Sequence, residues 1–315
     1  MNITDLVTKY VGLRRTMGER FKTGEDILRS FCRAVGPRKL VTQIRVKAVV
    51  AFLAGTGPIT GTWHLKHSIL KGFFGFAISR GHLNKAPLPT DLPKRPPTAT
   101  PYIYSREELR RLLKAIPAFL YFRFSLEPTS LRAILLLFYG AGLRRCEVLN
   151  LLVTDVDLPN RVLTIREGKF FKSRLVPIGC HLAKVLSDYA RWREATRPSA
   201  KDGGLFFVTR QGTAIRPRAL DATFQRLREH VGVRRTDGSR HQPRLHDLRH
   251  TFAVHRLTEW YRQGADVQRL VHHLSVYLGH ARLAHTQVYL TMTPELLQQA
   301  GMFFERYVRG EENHA

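Results

Sequence analysis

The stretch KAPLPTDLPKRPPTATP, residues 85–101, carries six prolines in seventeen positions and constrains the fold more than any other feature of the chain. Proline fixes φ and lacks an N–H, so this stretch can be neither helix interior nor central strand. It reads as an extended linker, and the sequence on either side must then fold as a separate body. A chain of 315 residues is long enough for two such bodies. The expected division is a domain over residues 1–90, a proline-rich linker over 91–103 and a second domain over 104–315.

Ahead of the linker, VTQIRVKAVVAFLAG and HLKHSILKGFFGFAISRG repeat apolar residues at helical spacing, with Gly55 and Gly81 where helices should stop. The first domain is therefore expected to be all-helical. After the linker, SREE from Ser105 to Glu108 is a capping box that opens a helix with Leu109, Leu112, Leu113 and Ile116 on its apolar face. SLRAILLLFYGAGL reads as a buried helix ending at glycine. RVLTIREGKFFKSRLVPI reads as a hairpin with strands over 161–167 and 174–178, and GLFFVTRQGTAI is a candidate for a further strand. Helical periodicity returns from RALDATFQRLREHVG onward. The predicted fold class is mainly α with a small antiparallel β-sheet (α+β): a helical domain followed by a mixed one.

Charge then narrows the partners. Lys and Arg number 51 against 25 Asp and Glu, a formal net charge of +26. Over residues 1–100 the count is 17 against 5, a net +12, so both halves are basic. That distribution suits a clamp around one polyanion better than a basic tail would; nucleic acid leads and an anionic membrane surface comes second. Cys32, Cys146 and Cys180 are widely spaced with no CxxC pair, which suggests neither a zinc cluster nor a disulfide framework. No apolar signal core opens the sequence and no run reaches membrane-spanning length, so a soluble cytoplasmic protein is expected.

Several residues stand where they could carry chemistry, although each alone has an ordinary structural explanation. Arg144 and Arg145 follow the glycine break GAGL and could present a fixed guanidinium to a phosphate, or pair with Glu147. Lys169 lies in the hairpin connection beside Lys172 and Arg174. In PRLHDLRHTFAVH, His246, Arg249 and His250 fall at i, i+3 and i+4 and share a helix face, with Pro243 suited to the first turn. Two histidines four apart evoke a metal site, but no glutamate stands between them and no third ligand is evident. His280 follows a glycine after a helix, and Tyr289 comes nine residues later in a short helical segment. Tyr277, by contrast, continues the apolar pattern of Leu270, Leu274 and Leu278 and reads as a packing residue.

Taken together, the order G-L-R, hairpin lysine, H-x-x-R, L-G-H and a tyrosine nine residues on resembles the tyrosine recombinase (phage integrase) family. The resemblance runs from about Ser105 to Tyr289, and the basic helical domain with its linker also fits. It implies that Arg144 and Arg249 stand at the two catalytic arginine positions, Lys169 at the hairpin lysine, His246 at the histidine of H-x-x-R, His280 at the later His position and Tyr289 at the nucleophile. Two departures are visible: Phe170 follows the lysine where glycine is frequent, leaving Lys172 as a rival to Lys169, and Arg145 doubles the first arginine.

The implied reaction is transesterification at a DNA phosphodiester, with a 3′-phosphotyrosyl intermediate and a free 5′-hydroxyl. Bond energy is kept in the intermediate, so no cofactor, ATP or metal is called for; the guanidiniums would supply the charge a metal supplies elsewhere. His246 would be the base beside Tyr289 and Lys169 the acid at the leaving oxygen. The acidic residues of the second half form no clear metal-binding triad, and the N-terminal half offers no serine-nucleophile domain. The implied partners are double-stranded DNA and further copies of the chain in a synaptic homo-tetramer, with Leu296, Leu297, Met302, Phe303 and Phe304 available either to dock on a neighbour or to fold back. A DNA-binding accessory protein of the same fold that has lost catalysis is the alternative. The DNA target sequence is not legible in the chain.

Overall fold

The computed structural model describes residues 1–55, 57, 59–96, 100–119, 125–166, 173–196, 204–239, 241–280, 282–291, 298, 301–302, 304–306 and 308–309. Lys169 and Lys172, and with them the hairpin tip, lie outside the described residues, as do Leu296, Leu297 and Phe303. The chain divides into two compact units, Met1–Thr98 and Ala99–Ala315.

Among the described residues four α-helices build the first unit: α1 (Ile3–Thr16), α2 (Lys22–Val35), α3 (Val46–Ala54) and α4 (Gly61–Ser79). Asn2 caps α1 by accepting from the Asp5 N–H, and Thr60 caps α4 by accepting from the Thr62 N–H. The apolar faces close on a core that includes Ile3, Leu6, Leu28, Phe31, Leu70, Phe73 and Phe74, all fully buried. Gly55 ends α3 with φ 62°, and Gly81 follows α4 with φ 72°, the left-handed backbone expected of them.

The second unit is mainly helical around a small sheet. Its helices are α5 (Arg106–Phe119), α6 (Pro128–Gly140), α7 (Arg145–Leu149), α8 (Cys180–Thr196), α9 (Pro217–His230), α10 (Asp247–Arg262), α11 (Val267–Leu278) and α12 (Ala284–Gln287), the last running into a 3₁₀ turn, Val288–Thr291. The capping box forms as read: Ser105 N–H donates to Glu108 Oε2 at 2.8 Å, and Glu108 N–H donates to Ser105 Oγ at 3.1 Å. The sheet is antiparallel, β1 (Val156–Asp157), β2 (Val162–Ile165) and β3 (Arg174–Pro177), with Val162 opposite Pro177 and Ile165 opposite Arg174.

Three local readings shift. Strand β2 begins at Val162 because Arg161 has φ 56° and closes the turn that follows β1. The segment GLFFVTRQGTAI makes only isolated bridges, Leu152 with Leu205 and Val208 with Ala214, because its chain folds into a turn at Gly212 whose ends are tied by Thr209 and Thr213. Pro243 lies outside α10. The Asp247 carboxylate accepts from the Arg244 N–H at 2.8 Å while Arg244 C=O accepts from the Asp247 N–H at 3.0 Å, and this reciprocal turn delays the helix to Asp247.

The core of the second unit gathers α6, fully buried at Leu131, Ile134, Leu137 and Phe138, with Leu163, Val176, Leu186, Phe224 and Leu248 around it. A second apolar cluster, with Phe252, Leu257, Leu274, Leu278 and Tyr289, packs α10 against α11 and the segment that follows. Among the described residues no helix is long and apolar enough to cross a membrane.

Candidate active site

The site forms where α6 breaks, α10 begins and α11 ends. At Gly142 the backbone turns with φ 59°, and a Cβ there would meet Phe252 Cδ1 at 2.6 Å and Leu278 Cδ2 at 2.7 Å. Only glycine lets the three segments close so tightly. Gly279 ends α11 in the left-handed conformation, φ 67°, and the next N–H, from His280, donates back to Ser275 C=O at 2.9 Å.

Three arginines converge on this helix end. Arg249, 1% exposed, donates through Nη1 to Gly142 C=O and through Nη2 to Leu278 C=O at 2.7 Å. Arg144 donates through Nη2 to Gly279 C=O, and Arg174 donates through Nε to Tyr277 C=O at 2.9 Å. Three successive carbonyls at a helix C-terminus, where the macrodipole is negative, thus each receive a guanidinium.

Glu147, buried at 6% exposure, balances this charge. It accepts from Arg144 Nη1 at 2.8 Å, from the Arg144 N–H at 2.8 Å, and from Arg174 Nη1 and Nη2 at 2.9 and 3.0 Å in a fork-to-fork pair. Burial pushes its carboxyl up, but the bonds and charge of Arg174, with those of Arg144, outweigh burial and hold it at about 2. Arg249 is drawn down to about 10, first by burial and then by the charge of Arg144. Arg145 is exposed, turns away from the cluster and pairs with Asp221.

Around the arginines stand three histidines and the tyrosine. His246 precedes α10, and its ring meets that of His250 edge-on with centroids 5.0 Å apart. His280 bonds through Nδ1 to Thr286 Oγ1 at 2.7 Å, and its ring centroid lies 6.2 Å from that of Tyr289. Tyr289, 3% exposed, hydrogen-bonds through its hydroxyl to His250 Nδ1 at 3.0 Å. Burial raises the Tyr289 phenol; the charges of Arg249 and then Arg144 oppose the rise. The histidines are held neutral. Protein crowding and then Arg249 lower His246 to about 4; burial and then His246 lower His250 to about 3; burial and then Arg249 and Arg144 lower His280 to about 3.

Of the residues singled out from sequence, Arg144, His246, Arg249, His280 and Tyr289 come together, while Lys169 lies outside the described residues. Tyr277 packs on Phe252 with ring centroids 5.8 Å apart and donates its hydroxyl to Pro177 C=O at 2.9 Å, as a structural residue should. Two participants were not assigned from sequence. Arg174 reaches the site by the register of β3, its partners 27 and 103 residues away, a proximity no local pattern encodes. His250 was visible as the i+4 neighbour of His246, but its partner across the fold was not.

The assembled chemistry is a phenol and fixed cations with neutral imidazoles between them, a set suited to an anionic phosphorus centre. Comparison with known proteins identifies the family. Residues 104–295 match the phage integrase family. A Sinorhizobium fredii protein assigned as an integrase/recombinase (y4rB) is 34% identical over 304 residues, covering 95% of this chain and 96% of that protein. The tyrosine recombinase XerA of Thermococcus kodakarensis is 34% identical over 214 residues, 66% of this chain and 64% of that one. Among solved structures, the Tn1549 transposon integrase in complex with a circular intermediate DNA shares the fold with a TM-score of 0.71 at 17% identity, over 97% of this chain and 99% of that one. The chain belongs to the phage integrase family, the tyrosine recombinases.

Proposed function

We propose that the chain is a site-specific DNA recombinase or integrase that cuts and rejoins strands through a 3′-phosphotyrosyl bond at Tyr289. The observation that carries this reading is the buried Tyr289, its hydroxyl bonded to His250 of α10, gathered with the Arg249 and Arg144 guanidiniums that hold the end of α11. The arginines are placed to receive the non-bridging oxygens of a scissile phosphate, whose charge grows in the transition state. Tyr289 Oη attacks phosphorus, the P–O5′ bond breaks, and the free 5′-hydroxyl leaves; a 5′-hydroxyl from a partner strand later reverses the step. His246 and His280 stabilise the phosphate oxygens, and Lys169 is the acid at the leaving oxygen.

Neither metal nor ATP is needed, because fixed guanidiniums carry the charge and the phosphotyrosyl bond conserves energy. The basic helical unit of residues 1–90 and the proline-rich linker would let the chain grip duplex DNA from two sides. Relatives of this fold have been solved as a lambda integrase dimer bound to a core site and as a lambda integrase tetramer bound to a Holliday junction, which supports a synaptic homo-tetramer for this chain as well.

Incubation with a nicked suicide duplex tests the proposal. The wild-type chain forms a covalent protein–DNA adduct that survives denaturation and chelation by EDTA. Tyr289→Phe binds DNA but forms none. An adduct formed normally by Tyr289→Phe would refute the assignment, and an adduct lost on chelation would refute the metal-free mechanism.

A further inference from the structure

A nucleophilic phenol must lose its proton, and His246, assigned that task from its place in H-x-x-R, has its ring edge-on to that of His250. The imidazole bonded to the phenol is His250, through Nδ1 at 3.0 Å. We infer that His250 is the general base of strand cleavage: its Nδ1 takes the Tyr289 proton as Oη bonds to phosphorus. The inference rests on the reading of Tyr289 as the nucleophile.

Three observations support it. Tyr289 is 3% exposed, so its hydroxyl needs a protein acceptor, and Arg249, whose charge acts on the phenol, can only donate. The Nδ1 lone pair is therefore the acceptor for the O–H proton, and the charge of Arg249 supports the negative charge that develops on the phenol oxygen. Finally, His250 is available as an acceptor at neutral pH, because burial and the groups that face it hold it neutral. Those groups are His246, Arg249 and Arg244 from the start of α10, and His280 and Tyr289 from the segment beyond α11. A phosphodiester seated on Arg144 and Arg249 offsets their charge and raises the proton affinity of the imidazole when the reaction needs it.

The step balances. The Oη–H bond breaks toward Nδ1, the Oη–P bond forms, the P–O5′ bond breaks, and the 5′ oxygen takes a proton from the hairpin lysine or water. In religation the imidazolium returns its proton to the departing phenolate.

Single-turnover cleavage of a suicide duplex between pH 6 and 9 separates proton transfer from positioning. Asparagine at 250 can accept the Tyr289 hydrogen bond but cannot take the proton. His250→Asn is therefore expected to bind DNA as tightly as the wild type and to cleave on the order of 100-fold more slowly at pH 7. Its deficit should shrink about tenfold per pH unit as hydroxide substitutes for the base. Cleavage within twofold of wild type, or a deficit constant across pH, would overturn the inference. His250→Gln serves as the second variant, and thermal unfolding checks that each is folded. In the intact wild-type chain, nitrogen NMR should find the His250 proton on Nε2; a proton fixed on Nδ1 would overturn the inference without any mutation. Tyr289→Phe separates the two readings: if it still traps DNA, the nucleophile assignment falls, whereas if it fails to trap and His250→Asn is unimpaired, only the base assignment falls.

Discussion

Arg249 is a buried guanidinium held rigidly at the candidate site. Its two Nη atoms are occupied by carbonyls of two different segments, and the planar fork reaches both at once. Lysine would bring the charge but only a point donor. Arg249→Lys should therefore keep DNA binding within a few fold while single-turnover cleavage falls by about 10²–10³-fold, the usual cost of losing one preorganised transition-state donor. Cleavage near the wild-type rate would show that charge alone suffices. At this scale the sequence was informative where spacing is local: H-x-x-R at 246–249 and the tyrosine nine residues after His280 could be read directly. It was silent where a residue gains its role from distant partners. Glu147 could be paired with Arg144 three positions away, but its second arginine, Arg174, comes from a strand 27 residues on. Removing the carboxylate leaves two guanidiniums facing each other, so Glu147→Gln should destabilise the chain by roughly 3–5 kcal/mol, measured by urea unfolding.

The end of α11 is the element on which the site depends, since Tyr277, Leu278 and Gly279 each give a carbonyl to a different arginine. Two glycines allow that closure, and they should differ in cost. A Cβ at Gly279 would sit 2.8 Å from Arg174 Nη1, the end of a long side chain, whereas one at Gly142 would press on Phe252 and Leu278 inside the core. Gly279→Ala is expected to cost about 1–2 kcal/mol for its left-handed backbone, and Gly142→Ala several kcal/mol more because overpacking adds to the same strain. Thermal unfolding of the two variants checks the order; a smaller loss for Gly142→Ala would contradict the packing argument. Elements were legible wherever local chemistry ends or begins them. The Ser105–Glu108 capping box, the glycine stops and the alternating hairpin strands all formed from nearest-neighbour rules. The start of α10 was misplaced by four residues because a side chain, Asp247, closes a turn ahead of it, and a proline signal cannot report that competition.

For the whole molecule, two consequences of its charge can be measured. With +26 net charge, DNA affinity should fall steeply with salt; six to ten phosphate contacts would cost about 10³–10⁵ in affinity between 50 and 200 mM. The site also makes stability depend on pH. His246, His250 and His280 are held at about 4, 3 and 3 in the folded chain, below the 6.5 of an unfolded histidine. As pH falls below that unfolded value, the unfolded state binds protons first, so stability is full above pH 6.5 and drains away down to the folded values. Glu147, at about 2 against an ordinary 4.5, adds a further loss as pH falls from 4.5 to 2. Urea midpoints should therefore drop continuously from pH 7 to 3, and a variant with all three histidines replaced by asparagine should show a flatter curve above pH 4.5. The central claim, that Tyr289 is the nucleophile, is tested most directly by digesting the denatured adduct with protease and identifying the DNA-linked peptide by mass spectrometry. The expected product is a peptide containing Tyr289 joined to a 3′-phosphate; a link at Tyr277 or any other residue, or to a 5′-phosphate, would contradict the account.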